Sequence, residues 1–245
     1  MLTIQQTAEG SGVREDGRTV ADAAKDSLRE MILTGHLCPG ERVHQDHLSN
    51  LLGLSRTPVR AALASLAQDG LLDYESNRGY RVKQFSVDNI RGVFEVRASL
   101  EALACRVAAK VGVAPSILDR LDELVVVGDR ILSAGKLIPD ALPEYRKMNV
   151  EFHETIMESA CNPLLKDFVD RSHNVPLVSD RVILWDDFDV IYRSHDDHRR
   201  IVKALRLSDG ERAAALMHEH VYFAGELLVD RLQEDPNLLQ HQKYD

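Results

Sequence analysis

Three histidines and one asparagine in the second half of this 245-residue chain could hold a divalent cation. Asn149 and His153 are four apart, which on a helix sets both side chains on one face. His198 and His220 lie further on, in two later segments of helical period. Three imidazoles and an oxygen donor converging inside a helical bundle suit zinc, nickel or a similar ion, with coordination positions left open for a carboxylate. Spacing by itself does not select these four, because the chain has ten histidines and a histidine on a helix is usually a surface or core residue. His195 and His218 stand three and two positions from the candidates and are the reserve ligands.

A second constellation is compact. Residues 55–60 read Ser-Arg-Thr-Pro-Val-Arg, and Arg56 and Arg60 fall one above the other on one helical face. A guanidinium forks onto a guanine edge or clamps a phosphate, and the Ser55 hydroxyl beside helix N-terminal amides suits phosphate. Two arginines on an exposed helix are otherwise simply solvated, so their setting decides. A third candidate is Arg97, mid-helix among Val93, Val96 and Leu100, where a charge is buried only with a partner. That partner is either the carboxylate of a bound effector or Glu101 one turn on. Trp185, Phe188 and Tyr192 read as packing residues.

Periodicity shows which helices and strands carry these groups. Residues 1–17 are polar and aperiodic and read as a leader. A helix starts at Thr19 and stops before Gly35 and Pro39-Gly40; a second fits Gln45–Leu52, and Gly53 follows. A third opens at the N-cap residue Ser55 and runs to Gln68. Leu71–Glu75 and Tyr80–Phe85 then read as strands joined by the turn residues Ser76–Gly79. Helix, glycine turn, helix and hairpin make a winged helix-turn-helix, in which the N-terminal end of the second helix of the motif enters the major groove. This setting turns Arg56 and Arg60 into DNA-reading candidates. At the wing tip Arg78 could enter or flank a minor groove, and Gly79 permits close backbone approach.

After Phe85 the period is helical throughout, over about 88–110, 115–134, 141–160, 163–184, 187–207 and 209–233, with Pro176 expected to kink or split its helix. The fold class is therefore mainly α: a winged helix-turn-helix over 18–86, a six-helix bundle over 87–235, and a tail over 236–245.

The formal net charge of −9 is unevenly spread. Residues 18–86 hold nine Lys/Arg against eight Asp/Glu, so the acid lies almost wholly in the last two-thirds. Local charge decides phosphate contact, so overall acidity does not exclude DNA binding; it argues against coating nucleic acid along the whole surface. No apolar run approaches a membrane span and no signal peptide opens the chain, so the expected location is cytoplasmic. Cys38, Cys105 and Cys161 are far apart without a C-x-x-C, and read as buried or free thiols.

Residues 28–43, the segment Leu-Gly-Leu-Ser-Arg-Thr-Pro-Val-Arg-Ala-Ala-Leu (52–63) and Asp-Gly-Leu-Leu (69–72) resemble the GntR family of regulators. The resemblance implies a dimeric repressor or activator on a short palindrome of double-stranded operator DNA, with Arg56, Thr57 and Arg60 at the DNA and Gly79 at the wing tip. Gln45, Asp46 and His47 depart from the family pattern at the start of the preceding helix, so the operator sequence does not carry over. Residues 94–101, 149–153, 194–201 and 217–220 are similar to the FCD (FadR C-terminal domain) effector domain. Many members of that branch use an Asp-or-Asn, His, His, His metal site, which implies Asn149, His153, His198 and His220 here. Asn149 coordinates through a neutral carbonyl oxygen, so the site carries one negative charge fewer than with Asp.

The resulting expectation is a ligand-responsive, homodimeric DNA-binding regulator whose bundle takes a small carboxylate effector at a metal site. The alternative is a metal-dependent hydrolase with an accessory DNA-binding module, since three histidines and an open metal position also describe such a centre. No carboxylate stands clearly as a general base, and the DNA-binding module would be an odd companion for it.

Overall fold

The computed structural model describes residues 18–33, 36–76, 78–175, 178 and 187–235. The expected leader, the tail, Asn77, Pro176 and Trp185 lie outside the described residues. Two compact units divide at Ser86/Val87.

In the first unit α1 (Val20–Leu33) packs against α3 (Arg56–Gln68), with α2 (Gln45–Leu52) across them. Leu28 and Ile32 of α1 meet Leu48 of α2 and Val59, Leu63 and Leu66 of α3 in one buried cluster, closed by Leu72 and Val82. The 3.6-residue spacing of these side chains produces the shared face. Gly53 ends α2 at φ 66, a left-handed conformation that glycine takes without steric cost. Its amide returns to the Ser49 and Asn50 carbonyls, so the turn into α3 is tight.

Two strands were expected, and the structure has a third. The sheet order is β1-β3-β2, with β2 (Leu72–Glu75) and β3 (Gly79–Val82) forming the hairpin and β1 (Arg42–Val43) pairing with β3. Two residues are too few for periodicity to reveal a strand; Arg42–Val43 is extended because the hairpin edge offers it partners.

The second unit contains six α-helices among the described residues. The long α4 (Val87–Val111) lies along α9 (Gly210–Glu234); α5 (Pro115–Leu132) contacts α6 (Leu142–Ser159) and α8 (Phe188–Arg206), and α7 (Pro163–Ser172) contacts α4. Pro115 and Pro163 occupy first turns, where their missing N–H is not needed. Asn162 caps α7 by accepting from the Leu165 amide at 3.2 Å. The expected helix over 163–184 is shorter: α7 stops at Ser172 and the chain turns at His173–Asn174, ahead of Pro176. A proline disfavours helical backbone at the residue before it, here Val175, so a helix that has ended by then is compatible with Pro176. Phe152, Ile156, Ile191, Ile201 and Met217 are fully buried at the centre. No described helix is long and apolar enough to cross a membrane.

Candidate functional site

The DNA-reading candidates stand on the open side of α3. Its apolar face (Val59, Leu63, Leu66) is buried, which leaves Arg56, Thr57 and Arg60 exposed, with Ser55 at the N-cap position just before them. Ser55 makes no side-chain cap bond, so its hydroxyl and the first amides of α3 are not committed to each other. Arg56 is ion-paired with Asp46 of α2 at 2.8 Å, both largely exposed. Gln45 Nε2 donates to the Arg56 carbonyl at 2.8 Å and ties the start of α2 to that of α3. Thus two of the three positions that depart from the family pattern, Gln45 and Asp46, touch Arg56. On the hairpin Arg78 is exposed, and Gly79 opens β3 at φ 84.

Within the bundle, α6, α8 and α9 bring His153, His198 and His220 together. One ring nitrogen from each lies within 4.8 Å of the other two, and all three side chains are buried. His153 Nε2 and His220 Nε2 are 3.3 Å apart. Two nitrogens bound to one tetrahedral zinc at about 2.0–2.1 Å stand about 3.3–3.4 Å apart, so the spacing fits a shared ion. It also suits a hydrogen bond between the rings.

His198 is the sharper observation. It is completely buried, Phe152 stacks on it at 4.0 Å, and neither ring nitrogen has a hydrogen-bond partner among the described residues. An unpaired buried polar atom costs about 1–3 kcal/mol, and a metal bond would satisfy one of these. Burial, then its neighbours His220 and His153, hold the His198 pKa well below the ordinary imidazole value. Burial and His153 bring His220 down to about 3. Both are therefore neutral near pH 7, the form that binds metal. Asn149, one turn before His153 on α6, is buried as well.

The reserve ligands are engaged elsewhere. His218 is exposed and stacks on Tyr222. His195 is buried, but its Nε2 faces the Val125 carbonyl and Asp129 Oδ1, each at 3.1 Å. Both partners only accept, so Nε2 carries the proton. Gly128 makes room for that ring: a Cβ there would fall 2.1 Å from His195 Cε1.

Of the two partners weighed for Arg97, the structure supplies Glu101. Arg97 is 4% exposed; its Nε donates to Glu101 Oε1 at 2.5 Å and its Nη1 to the Val178 carbonyl at 2.7 Å. Glu101 was legible only as a salt-bridge partner, yet its other oxygen lies 2.5 Å from His153 Nδ1. Burial would raise its pKa, but Arg97 and His153 together hold it below the ordinary carboxylate range. Asp197, not singled out by spacing, is buried beside His198 with Oδ2 3.9 Å from His220 Nδ1. Their one sequence signal is a carboxylate on a buried helical face. Phe188 and Tyr192 lie against one another with their rings tilted and centroids 5.7 Å apart.

Comparison with known proteins agrees with this division of labour. Residues 20–82 match the model of bacterial regulatory proteins of the gntR family, and residues 92–223, more than half of the chain, match the FCD domain. The chain is 24% identical over 213 residues to the uncharacterized HTH-type transcriptional regulator YdhC of Bacillus subtilis, covering 85% of this chain and 91% of that one. It is 28% identical over 210 residues to a probable D-xylose utilization operon transcriptional repressor of Paenarthrobacter nicotinovorans, covering 83% and 86%. Its fold is similar to that of E. coli McbR/YncC, with a TM-score of 0.69 at 19% identity over 88% of this chain and 99% of that one. These families and relatives are regulators and not enzymes, which removes the hydrolase alternative. With a gntR-type DNA-binding module followed by an FCD domain, the chain belongs to the GntR family of transcriptional regulators.

Proposed function

We propose that this regulator is a homodimeric repressor whose affinity for double-stranded operator DNA is set by a small organic acid bound in the helical bundle at a divalent metal site, with zinc or nickel as the ion. The observation that carries this reading is the buried trio His153, His198 and His220, whose ring nitrogens lie within 4.8 Å of one another. Asn149 would add the oxygen donor. When bound, the ion supplies open coordination positions to which a carboxylate can attach. His198 and His220, whose pKa values lie well below the ordinary one, would each offer a lone pair there, and Phe152 stacked on His198 covers one side of that ring.

On the DNA side, Ser55, Arg56, Thr57, Arg60, Arg78 and Gly79 are the groups we assign to operator contact. Arginine on a guanine edge discriminates bases, whereas the α3 N-terminus and the wing position the module on phosphates. The effector acts through its different affinity for the DNA-competent and DNA-incompetent arrangements of the dimer. Derepression by the acid is the direction we favour, in keeping with the repressor named among the relatives. Dimerisation is supported by an exposed apolar stripe on α4, where Val96, Leu103 and Val111 recur at spacings of seven and eight. A cytoplasmic location follows from this role.

Direct contact of Arg97 with the effector carboxylate is the second reading for that residue. It requires the guanidinium to leave Glu101, and a buried carboxylate without its partner is costly. We therefore place the effector on the metal side and Arg97 behind it. Native mass spectrometry with elemental analysis tests the whole proposal: a dimer with about one metal per chain that gains one small acid supports it. A metal-free dimer that binds operator removes the histidine site and leaves an effector held by Arg97 and hydrogen bonds. Gel shifts in which no acid alters operator affinity would sink ligand control.

A further inference from the structure

Each metal-site histidine has one ring nitrogen to offer, and whatever stands behind the other sets its tautomer and tilt. His153 Nδ1 lies 2.5 Å from Glu101 Oε2, and a carboxylate so anchored can only accept. Nδ1 therefore carries a proton, which leaves Nε2, 3.3 Å from His220 Nε2, as the nitrogen a metal would take. Glu101 is itself immobilised: its second oxygen takes the Arg97 Nε–H at 2.5 Å, and Arg97 is fixed in turn by the Val178 carbonyl at 2.7 Å. On the opposite side His220 Nδ1 faces Asp197 Oδ2 at 3.9 Å. That oxygen is buried and has no hydrogen-bond partner among the described residues, while Oδ1 is held by Arg200 Nη1 at 2.6 Å. A shift of about 1 Å in the His220 ring would close a hydrogen bond there, since N–H···O bonds are about 2.9 Å long.

Charge gives this arrangement a purpose. His153, His198, His220 and Asn149 are all neutral donors, so a divalent ion among them would keep its full charge inside the bundle, which is costly. Glu101 and Asp197 stand one bond further out and offset it. Arg97 is buried with Glu101 and returns part of that charge, whereas the Arg200 side chain is half-exposed and solvent weakens its share.

We propose that Glu101 and Asp197 are the positioning residues of the metal centre: they hold His153 and His220 with Nε2 turned inward and supply the negative charge that Asn149 does not. This rests on the reading that the histidine trio takes a divalent ion. The competing account makes both carboxylates ordinary members of ion pairs, with Arg97 and Arg200, whose loss costs folding stability alone.

Zinc affinity of the metal-stripped full-length protein, measured by competition with a chromogenic chelator, separates the two. Glu101→Gln keeps the shape but removes the charge, and its amide can donate to His153 Nδ1 as well as accept, so the tautomer is no longer set. We expect zinc affinity to fall about 10–100-fold in Glu101→Gln and by a similar or smaller factor in Asp197→Asn. The rise in melting temperature on adding zinc should shrink in both, a quantity that a merely structural role would leave unchanged. Wild-type zinc affinity in both folded variants overturns the proposal. If Glu101→Gln does not fold, Glu101→Asp, which draws the carboxylate back from His153, takes its place beside Asp197→Asn, with the same outcomes. A wild-type protein that takes up no zinc fails the metal reading itself, whereas tight wild-type binding with indifferent variants fails only the role given to the two carboxylates.

Discussion

The two units of this chain solve opposite problems. On α3 the chemistry-bearing residues are neighbours in sequence, exposed, and held through solvent-facing contacts such as Arg56–Asp46 and the Gln45 bond to the Arg56 carbonyl. In the bundle they come from four helices, α4, α6, α8 and α9, and none of their titratable groups is solvated. An exposed site depends on which residue types occupy one helical face. A buried site depends on what stands behind each ligand, because an unpaired polar group has no water to fall back on.

Substitutions can break this contrast, and the largest effect belongs to the buried trio. His198→Ala should lower zinc affinity by about a thousandfold, since one of three imidazole ligands is gone. The helical content should be unaffected, as neither nitrogen of the replaced ring has a hydrogen-bond partner among the described residues to lose. Elemental analysis after dialysis checks the first point and circular dichroism the second. Zinc retained at about one per chain would mean that the trio is a packing cluster.

Acid comes next. In the metal-free protein the His220 pKa is held at about 3 and that of His198 well below the ordinary value, while in the unfolded chain both lie near about 6.5. Between those limits the unfolded state takes up protons that the folded state refuses. The stabilising contribution is present above the unfolded value and is lost as pH falls toward the folded one. Going from pH 7 to pH 5 should cost up to about 2 kcal/mol per histidine. Urea unfolding at the two pH values measures this, and His198→Ala should lessen the dependence. A flat profile would mean that the rings are wet and the cluster open.

Arg56→Ala should weaken specific operator binding by about 10–100-fold and leave zinc uptake unchanged. Fluorescence anisotropy on operator and on scrambled DNA reads this out, and equal loss on both would make Arg56 a phosphate contact. The smallest effect on stability is expected from Asp46→Ala, because exposed ion pairs contribute little. Its melting temperature should stay within about 2 °C of the wild type. Any change in operator preference would then report on Arg56, freed from its neighbour.

The same contrast explains what could be read ahead of the structure. Gln45–Leu52, the Ser55 cap, the α3 span to Gln68 and the bundle helices follow from apolar period and turn chemistry, which act over a few residues. Arg42–Val43 escaped because a two-residue strand exists only through its partner in the hairpin. Apolar period alone carries α7 past Ser172, because the break at His173 depends on context that periodicity ignores. Asn149, His153, His198 and His220 became candidates through a family resemblance; their spacing alone would not have separated them from the other histidines.

Apart from β1, the order and type of the elements are legible in the chain without its fold, as are the exposed arginine face of α3 and membership of the GntR family. Those rest on local periodicity and on a contiguous motif. It takes the folded chain to show that Arg97 faces Glu101, that Glu101 in turn backs His153, that His195 turns to Val125 and Asp129, and that His198 has no hydrogen-bond partner among the described residues. These are contacts between residues far apart in the chain. Each is chosen by how buried polar groups find partners once water is excluded, and no local pattern encodes that choice.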